Sequence, residues 1–140
     1  MQVQPYLFFE GRCEEALKFY GTAVGAKLID LMHYKDNPDP QAAGGCADGS
    51  APPPDKVMHA SFSIGDTTLM ASDGMVSGKP DFKGISLSIT AANDAEAKRL
   101  FNALSEGGQV QMPLGKTFFA SSFGMVADRF GVSWMVIALP

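Results

Sequence analysis

The sequence predicts an α+β fold built from two consecutive modules, each with the order strand–helix–strand–strand–strand. A chain of 140 residues has the length of one domain, so both modules are expected to share it, over residues 1–74 and 84–140. Two observations indicate the repeat. Each half has one amphipathic helical stripe, and strand patterns surround that stripe in the same order.

The closing stretch predicts the centre of the sheet. Residues 123–127 are apolar, Asp128 to Gly131 form a turn with glycine where a positive φ costs little, and Val132 to Leu139 are a continuous apolar run. Such a run is typical of a strand that is buried on both faces. We therefore expect the last strand to lie in the middle of the fold and not at an edge.

The first module is predicted from a short series of patterns. Its helix has apolar residues at helical spacing, glutamates in the first turn and a glycine after the last turn. The expected elements are a strand over 2–9, a helix over 12–24, a strand over 27–34 and a hairpin of 57–64 with 67–72. Residues 36–55 are so rich in glycine, proline and alanine that they predict a long mobile loop beside the binding site.

The second module repeats the pattern after a glycine-rich linker. Residues 84–90 alternate between apolar and hydroxyl side chains, and Asn93 with Glu96 is a capping signature for a helix. Its apolar stripe aligns with that of the first helix when Glu14–Tyr20 is set against Ala95–Phe101. Strands are expected over 84–90, 109–114, 117–126 and 132–139.

Composition excludes several classes of function. The formal net charge of −4 gives no basic surface for nucleic acid. No apolar run approaches the roughly 20 residues that span a bilayer, and the first residues do not resemble a signal peptide. Cys13 and Cys46 do not form a disulfide framework. A cytoplasmic protein without a nucleic-acid or membrane partner is expected.

The Asp128-Arg-Phe-Gly131 turn before the final strand resembles the end of a vicinal-oxygen-chelate domain, the glyoxalase/bleomycin-resistance/dioxygenase superfamily. The preceding Phe123-Gly-Met, the opening Pro5–Gly11 with Glu14–Tyr20, and the pair His59-Ala60 are similar to its PhnB-like branch. This resemblance implies a curled eight-stranded mixed sheet with a concave cup, helices on its convex side, and a homodimer. A methyltransferase label in this branch has no support here, because no glycines fall in a GxGxxG pattern.

The resemblance also implies where a metal would bind. Catalytic members hold a divalent ion through His and Glu residues on the first and last strands of each module. The corresponding positions fall at or beside Pro5, near Ser86, near Met135 and within 67–72, and none of them is a His, Glu or Asp. We therefore expect no cofactor and at most weak binding of a divalent metal.

Six residues are predicted to line the cup. Alternation places His59 and Ser61 on one face of their strand. Because the helix is expected to cover the apolar face of residues 84–90, which includes Ile85, Ser86 and Ser88 should point into the cup. His59 is either a hydrogen-bonded structural residue or a catalytic one. Asp73 either forms a turn or orients His59. Trp134 either packs in the core or supplies a stacking wall for a ligand.

Three functions follow from these observations. The first is a small-molecule binding protein of the bleomycin-resistance kind, without a catalytic metal, in which two chains build the cleft. The second is a divalent-metal lyase, isomerase or dioxygenase that uses a non-standard set such as His59, Asp73 and a loop aspartate. The third is an interaction domain whose cup is filled by its own side chains. The sequence identifies neither the ligand nor a catalytic residue.

Overall fold

The computed structural model describes residues 1–39 and 45–140. The segment 40–44 belongs to the predicted mobile loop, so this part of that prediction lies outside the described residues. The chain forms two compact units, Met1–Pro80 and Asp81–Pro140. Each unit contains one four-stranded sheet and one α-helix. The domain boundaries expected at 1–74 and 84–140 stay a prediction.

The first unit is a sheet of order β1-β4-β3-β2 with a helix on one face. Its elements are β1 (Tyr6–Phe8), α1 (Cys13–Ala23), β2 (Lys27–His33), β3 (Val57–Ile64) and β4 (Thr67–Ser72). β1 runs parallel to β4, and the other pairs are antiparallel. A short 3₁₀ turn, Tyr34–Asp36, follows β2.

One face of this sheet is covered by α1, because Tyr20 on the helix stacks on Phe62 of β3 at 6.2 Å between ring centroids. Phe9 packs on the same tyrosine at 6.1 Å. The buried strand residues Leu7, Ala60, Leu69 and Ala71 alternate in register with this contact. The opposite face of the sheet, which carries no helix of its own unit, is called the helix-free face below.

The second unit repeats this arrangement with the sheet order β5-β8-β7-β6. Its elements are β5 (Leu87–Ala91), α2 (Asp94–Ser105), β6 (Gln109–Gly115), β7 (Ser122–Ala127) and β8 (Ser133–Ala138). β5 runs parallel to β8, as β1 does to β4. All four residues of the predicted α2 stripe are buried, and these are Ala97, Leu100, Phe101 and Leu104.

Close packing of α2 on its sheet depends on Gly124. A Cβ atom at this position would lie 2.7 Å from the ring of Phe101, well inside van der Waals contact. The glycine therefore lets the helix approach β7, and Val126 and Trp134 are buried on the same face.

The predicted α+β fold of two βαβββ modules is confirmed, with two α-helices and eight strands in the part of the chain that the structure describes. The strands hydrogen-bond as two four-stranded sheets, one in each unit. β8 occupies the predicted central position, between β5 and β7. The expectation that it is buried on both faces is wrong, because buried and half-buried residues alternate along it.

Three strands begin at least three residues later than their sequence patterns predict. β1 begins only at Tyr6, after Pro5, which has no N–H to donate to a ladder. β5 begins at Leu87, after Gly84 at φ +81°, and Ile85 is 69% exposed, although the pattern placed it under the helix. Residues 117–121 lie outside β7, because the side chain of Thr117 accepts hydrogen bonds from the next turn.

Candidate functional site

The helix-free face of the first sheet has a chain of three polar side chains. The hydroxyl of Tyr6 lies 3.0 Å from Nδ1 of His59, and the hydroxyl of Ser61 lies 3.4 Å from Nε2 of the same ring. The three residues come from β1 and β3, with β4 between them, and each is half-buried. Both ring nitrogens of His59 are thus engaged, and the ring is held in one orientation.

Apolar side chains surround this chain. Register places Met32 opposite His59 and Met70 opposite Ser61, so both methionines share its face. Phe8 is 53% exposed and its ring lies 4.9 Å from that of Tyr6. The tyrosine ring also packs on the imidazole at 5.6 Å. An exposed aromatic and thioether surface beside a polar chain is the composition of a small-molecule site.

Asp73 does not join this face. It is 1% exposed, and its carboxylate accepts hydrogen bonds from the backbone N–H groups of Gly11, Cys13 and Val57 at 3.0, 2.8 and 2.7 Å. It therefore holds the first turn of α1 and the start of β3 to the end of β4. Of the two predicted roles, the structural one matches these contacts, and the partners of His59 are Tyr6 and Ser61 instead.

The same carboxylate affects its neighbour Cys13. Burial raises the pKa of the Cys13 thiol far above its usual range, and the charges of Asp73 and Glu14 raise it further. A thiol in this environment stays protonated and is a poor nucleophile. Cys13 therefore serves as a buried small apolar residue at the start of α1.

The helix-free face of the second sheet is more apolar. Met112, Met125 and Met135 are direct neighbours across β6, β7 and β8, and Ser88 on β5 completes the row. Phe123 and Ile137 form the next row, and Phe123 packs on the ring of Phe119 at 5.1 Å. Phe118, in the turn before β7, is 99% exposed.

The predicted serines of the second unit differ in their contacts. The hydroxyl of Ser86 donates to that of Ser133 at 2.9 Å, and Ser133 contacts the side chain of Gln111 at 3.3 Å. Ser88 is exposed and shares the methionine row. Both serines lie in or just before β5, where alternation in the sequence placed them.

Trp134 lies on the opposite side of its sheet from this row. It is 2% exposed, and its indole N–H donates to the carboxylate of Asp128 at 2.8 Å. The other oxygen of Asp128 accepts the backbone N–H groups of Phe130 and Val132. The core role predicted as one alternative matches this placement, and Trp134 forms no stacking wall on the helix-free face.

In the described part of the chain, the side chains that could ligate a metal do not come together as the resemblance implies. Within residues 1–39 and 45–140, no three side chains of His, Cys, Asp or Glu come together as a metal site would require. His33 contacts Glu14 and Asp36 at the end of β2, while His59 contacts a phenol and an alcohol. Pro5, Ser86 and Met135 offer neither imidazole nor carboxylate. The residues present do not fit the metal site of the catalytic relatives.

Tyr6 is the functional candidate that sequence reasoning missed. Its position two residues before the exposed Phe8 places both on one strand face. Their proximity to His59 depends on the order β1-β4-β3, in which the first strand pairs with the fourth. The signal available in the sequence was a tyrosine and a phenylalanine at strand spacing, without the strand order that directs them to His59.

Solved structures of other proteins share this fold. Two solved structures share the fold at 18% and 14% identity with TM-scores of 0.63 and 0.60: a glyoxalase-related enzyme from Fulvimarina pelagi and a glyoxylase/bleomycin resistance protein/dioxygenase domain from a Frankia species. The fold is therefore that of the glyoxalase/bleomycin-resistance/dioxygenase proteins. Among the described residues, no helix is long and apolar enough to cross a membrane.

With that fold, the chain belongs to the PhnB-like family described as 3-demethylubiquinone-9 3-methyltransferase, whose family model matches residues 1–137. It is 35% identical to protein YjdN of Escherichia coli K12 over 138 residues, which cover 97% of this chain and 94% of YjdN. It is 45% identical to the solved protein PA1353 from Pseudomonas aeruginosa, with a TM-score of 0.82 and coverage of 99% and 98%. It is 27% identical to a solved PhnB protein from Bacillus cereus, with a TM-score of 0.79 and coverage of 99% of each chain.

Proposed function

We propose that this chain binds a small organic molecule on the helix-free faces of its sheets and that it does so without a catalytic metal. The observation that supports this most is the first-sheet surface formed by Tyr6, Phe8, His59 and Ser61. It combines exposed aromatic area with hydroxyl groups, and Asp73 and Trp134, which could have extended it, are committed to the core. A metal-dependent reaction would need ligands that these faces do not offer.

A binding experiment with a metal assay tests both parts. Purified protein is dialysed without chelator, its metal content is measured by elemental analysis, and a library of aromatic and polar fragments is screened by amide chemical-shift changes. We expect much less than one equivalent of zinc, nickel, manganese or iron, and fragment shifts on β1 and β3. One retained equivalent of metal that is lost together with an activity in His59→Ala would contradict the metal-free part and favour the divalent-metal enzyme.

We also propose that the chain is a homodimer. The stretch 107–127 has one charged residue, Lys116, and includes the edge strand β6. Natural edge strands usually carry charges that prevent pairing, whereas Val110 and Met112 are each 44% exposed and Phe118 is almost fully exposed. A second copy could cover this surface. Sedimentation at the monomer mass of 14.9 kDa across micromolar concentrations would contradict it.

A fragment screen that produces no shift on either helix-free face would favour the third function, an interaction domain. In that case the two faces would be expected to contact protein and not a small ligand.

A further inference from the structure

The chain of Tyr6, His59 and Ser61 has a direction. A neutral imidazole has one N–H donor and one nitrogen acceptor, so only one of its two neighbours can donate to it. The distances are 3.0 Å from the phenol oxygen to Nδ1 and 3.4 Å from the serine oxygen to Nε2. The proton on the ring decides which hydroxyl donates and which accepts.

The phenol is the better donor of the two hydroxyls, since an aromatic O–H is more polarised than an aliphatic one. The network therefore assigns the Tyr6 O–H as donor to Nδ1 and the Nε2–H as donor to the oxygen of Ser61. Ser61 then accepts a hydrogen bond from the ring. Its own O–H is the end of the series, with no acceptor among Tyr6 and His59. Successive hydrogen bonds in one direction polarise one another, so this last hydroxyl is a strengthened donor.

We propose that Ser61 donates this hydrogen bond to the carbonyl oxygen of a neutral aromatic ligand, whose ring lies against Tyr6 and Phe8. The inference rests on the proposed binding function and adds to it the chemical class of the ligand. The polar chain fixes the position of one oxygen, and the aromatic pair fixes the position of one ring.

The aromatic part of the ligand follows from the surface beside the chain. Tyr6 and Phe8 lie 4.9 Å apart with ring planes tilted by 32°, and more than half of Phe8 is exposed. Met32 and Met70 share this face and offer thioethers that adapt to the edges of a ring. Stacking and sulfur–aromatic contacts both favour a planar ligand over an aliphatic one.

The charges at the sheet edge favour a neutral acceptor. Asp30 lies directly opposite Ser61 on β2, and Lys27 lies opposite Ser63 two residues further along β3. A carboxylate ligand bound at Ser61 would lie beside the carboxylate of Asp30, and the protein as a whole has a net charge of −4. A ketone, ester or amide oxygen accepts the same hydrogen bond without this repulsion.

Three probes of similar size separate these elements. Acetophenone has the ring and the neutral carbonyl, ethylbenzene has the ring alone, and benzoate has the ring with an anionic acceptor. Each is titrated into the full-length protein, and the dissociation constant is taken from the amide chemical shifts of β1 and β3. We expect acetophenone to bind most tightly of the three.

Four conservative variants test the chain. Ser61→Ala is expected to weaken acetophenone about fivefold, the loss of one hydrogen bond, and to leave ethylbenzene unchanged. Tyr6→Phe keeps the ring and removes the donor at the start of the chain, so a smaller loss of about twofold to threefold is expected for acetophenone alone. His59→Phe keeps the Ser61 hydroxyl but removes the ring donor before it, so a loss between those of Tyr6→Phe and Ser61→Ala is expected. Ser63→Ala, on the same face of the same strand, is the control and should change nothing.

Several results would overturn the proposal. Equal losses for acetophenone and ethylbenzene in Ser61→Ala would show that no hydrogen bond is made, and a loss in Ser63→Ala would show that the effect is not specific. Tighter binding of benzoate would contradict the neutral acceptor. If ethylbenzene shifts β1 and β3 as strongly as acetophenone, the proposed binding function survives and this inference fails. If no probe shifts either sheet while the protein is folded, both fail.

Discussion

The two modules have the same order of elements and hold their helices in different ways. The first turn of α1 is bound by Asp73, a residue about 60 positions away at the end of β4. The first turn of α2 is capped by its own neighbour Asn93, whose side chain accepts the N–H of Glu96 at 2.8 Å. Equal topology therefore does not require equal sources of stability: one helix depends on the finished sheet, and the other depends on its local sequence.

The helix-free faces of the two sheets also differ, in the side chains that they carry. The first is built around a directional polar chain with two aromatic rings. The second presents a row of methionines, and its polar chain of Ser86, Ser133 and Gln111 contains no imidazole. Chemical specificity is therefore expected on the first sheet and adaptable apolar contact on the second.

The largest effect is expected for Asp73→Ala. This change leaves three N–H groups without their acceptor, of which those of Cys13 and Val57 are buried. We expect the free energy of unfolding to fall by about 3–5 kcal/mol, measured by urea denaturation. Asp73→Asn, which keeps one oxygen for the α1 turn, should cost less than the alanine variant. Loss of under 1 kcal/mol for both would show that the long-range tie is not important.

The second effect concerns the carboxylate of the other module. Asp128→Ala removes the acceptor for the Trp134 indole and for two N–H groups in the same turn. We expect the free energy of unfolding to fall by about 2–3 kcal/mol. This is less than for Asp73, because the hydrogen bond from the backbone N–H of Asp128 to the carbonyl oxygen of Val132 still closes the turn. Tryptophan fluorescence reports on this site directly, and an unchanged emission spectrum would contradict the assigned contact.

The third effect depends on pH. The raised pKa of Cys13 means that the folded thiol keeps its proton after the unfolded thiol has lost it, so stability is complete below the unfolded pKa and falls as pH rises above it. From about pH 8.5 upwards the slope should be about −1.4 kcal/mol per pH unit. Cys13→Ala should abolish this slope and Cys46→Ala should preserve it. Equal slopes in both variants would contradict the buried thiol.

The measurement is best made below about pH 10. Burial also raises the pKa of the Tyr34 phenol, with further contributions from nearby acidic groups, Asp73 first among them. This phenol therefore adds a fall of the same sign at higher pH. Thiol titration gives an independent check, because Cys46 is partly exposed and Cys13 is fully buried.

The smallest effect is expected for Asn93→Ala, which removes the local cap of α2. Loss of one capping hydrogen bond costs about 1 kcal/mol. Asn93→Asp, which keeps the acceptor, should preserve stability and serves as the control. A loss as large as that of Asp73→Ala, measured in the same denaturant, would remove the contrast between the two modules.

Local patterns predicted most of the elements and only part of the site. The α2 stripe, the Asn93 cap and the hairpin of β3 and β4 follow from residue spacing within a few positions, and all are present. Alternation also placed His59 and Ser61 on one face correctly. The partners of these side chains could not be predicted, because they depend on which strands are neighbours and on where a strand ends.

The contacts of Asp73 could not be predicted from the sequence either. A polar residue before glycine is typical of a turn, and its sequence position contains no sign of α1, 60 residues earlier. The prediction that β8 is buried on both faces is wrong for a related reason. Continuous apolar sequence indicates low polarity on both faces, but it does not show that the chain itself covers both.

The bonds of Asp73 also bear on the order in which the chain can fold. Helix α1 is complete in sequence by Ala23, yet the carboxylate that binds its first turn arrives with residue 73, after β3 and β4 have been made. A contact of such sequence separation forms only after a long loop has closed, and contacts of this kind slow folding. During synthesis the first turn of α1 therefore gains its hydrogen bonds to Asp73 only after the last strand of its module has been made. The second helix can form its capped first turn as soon as Glu96 follows Asn93.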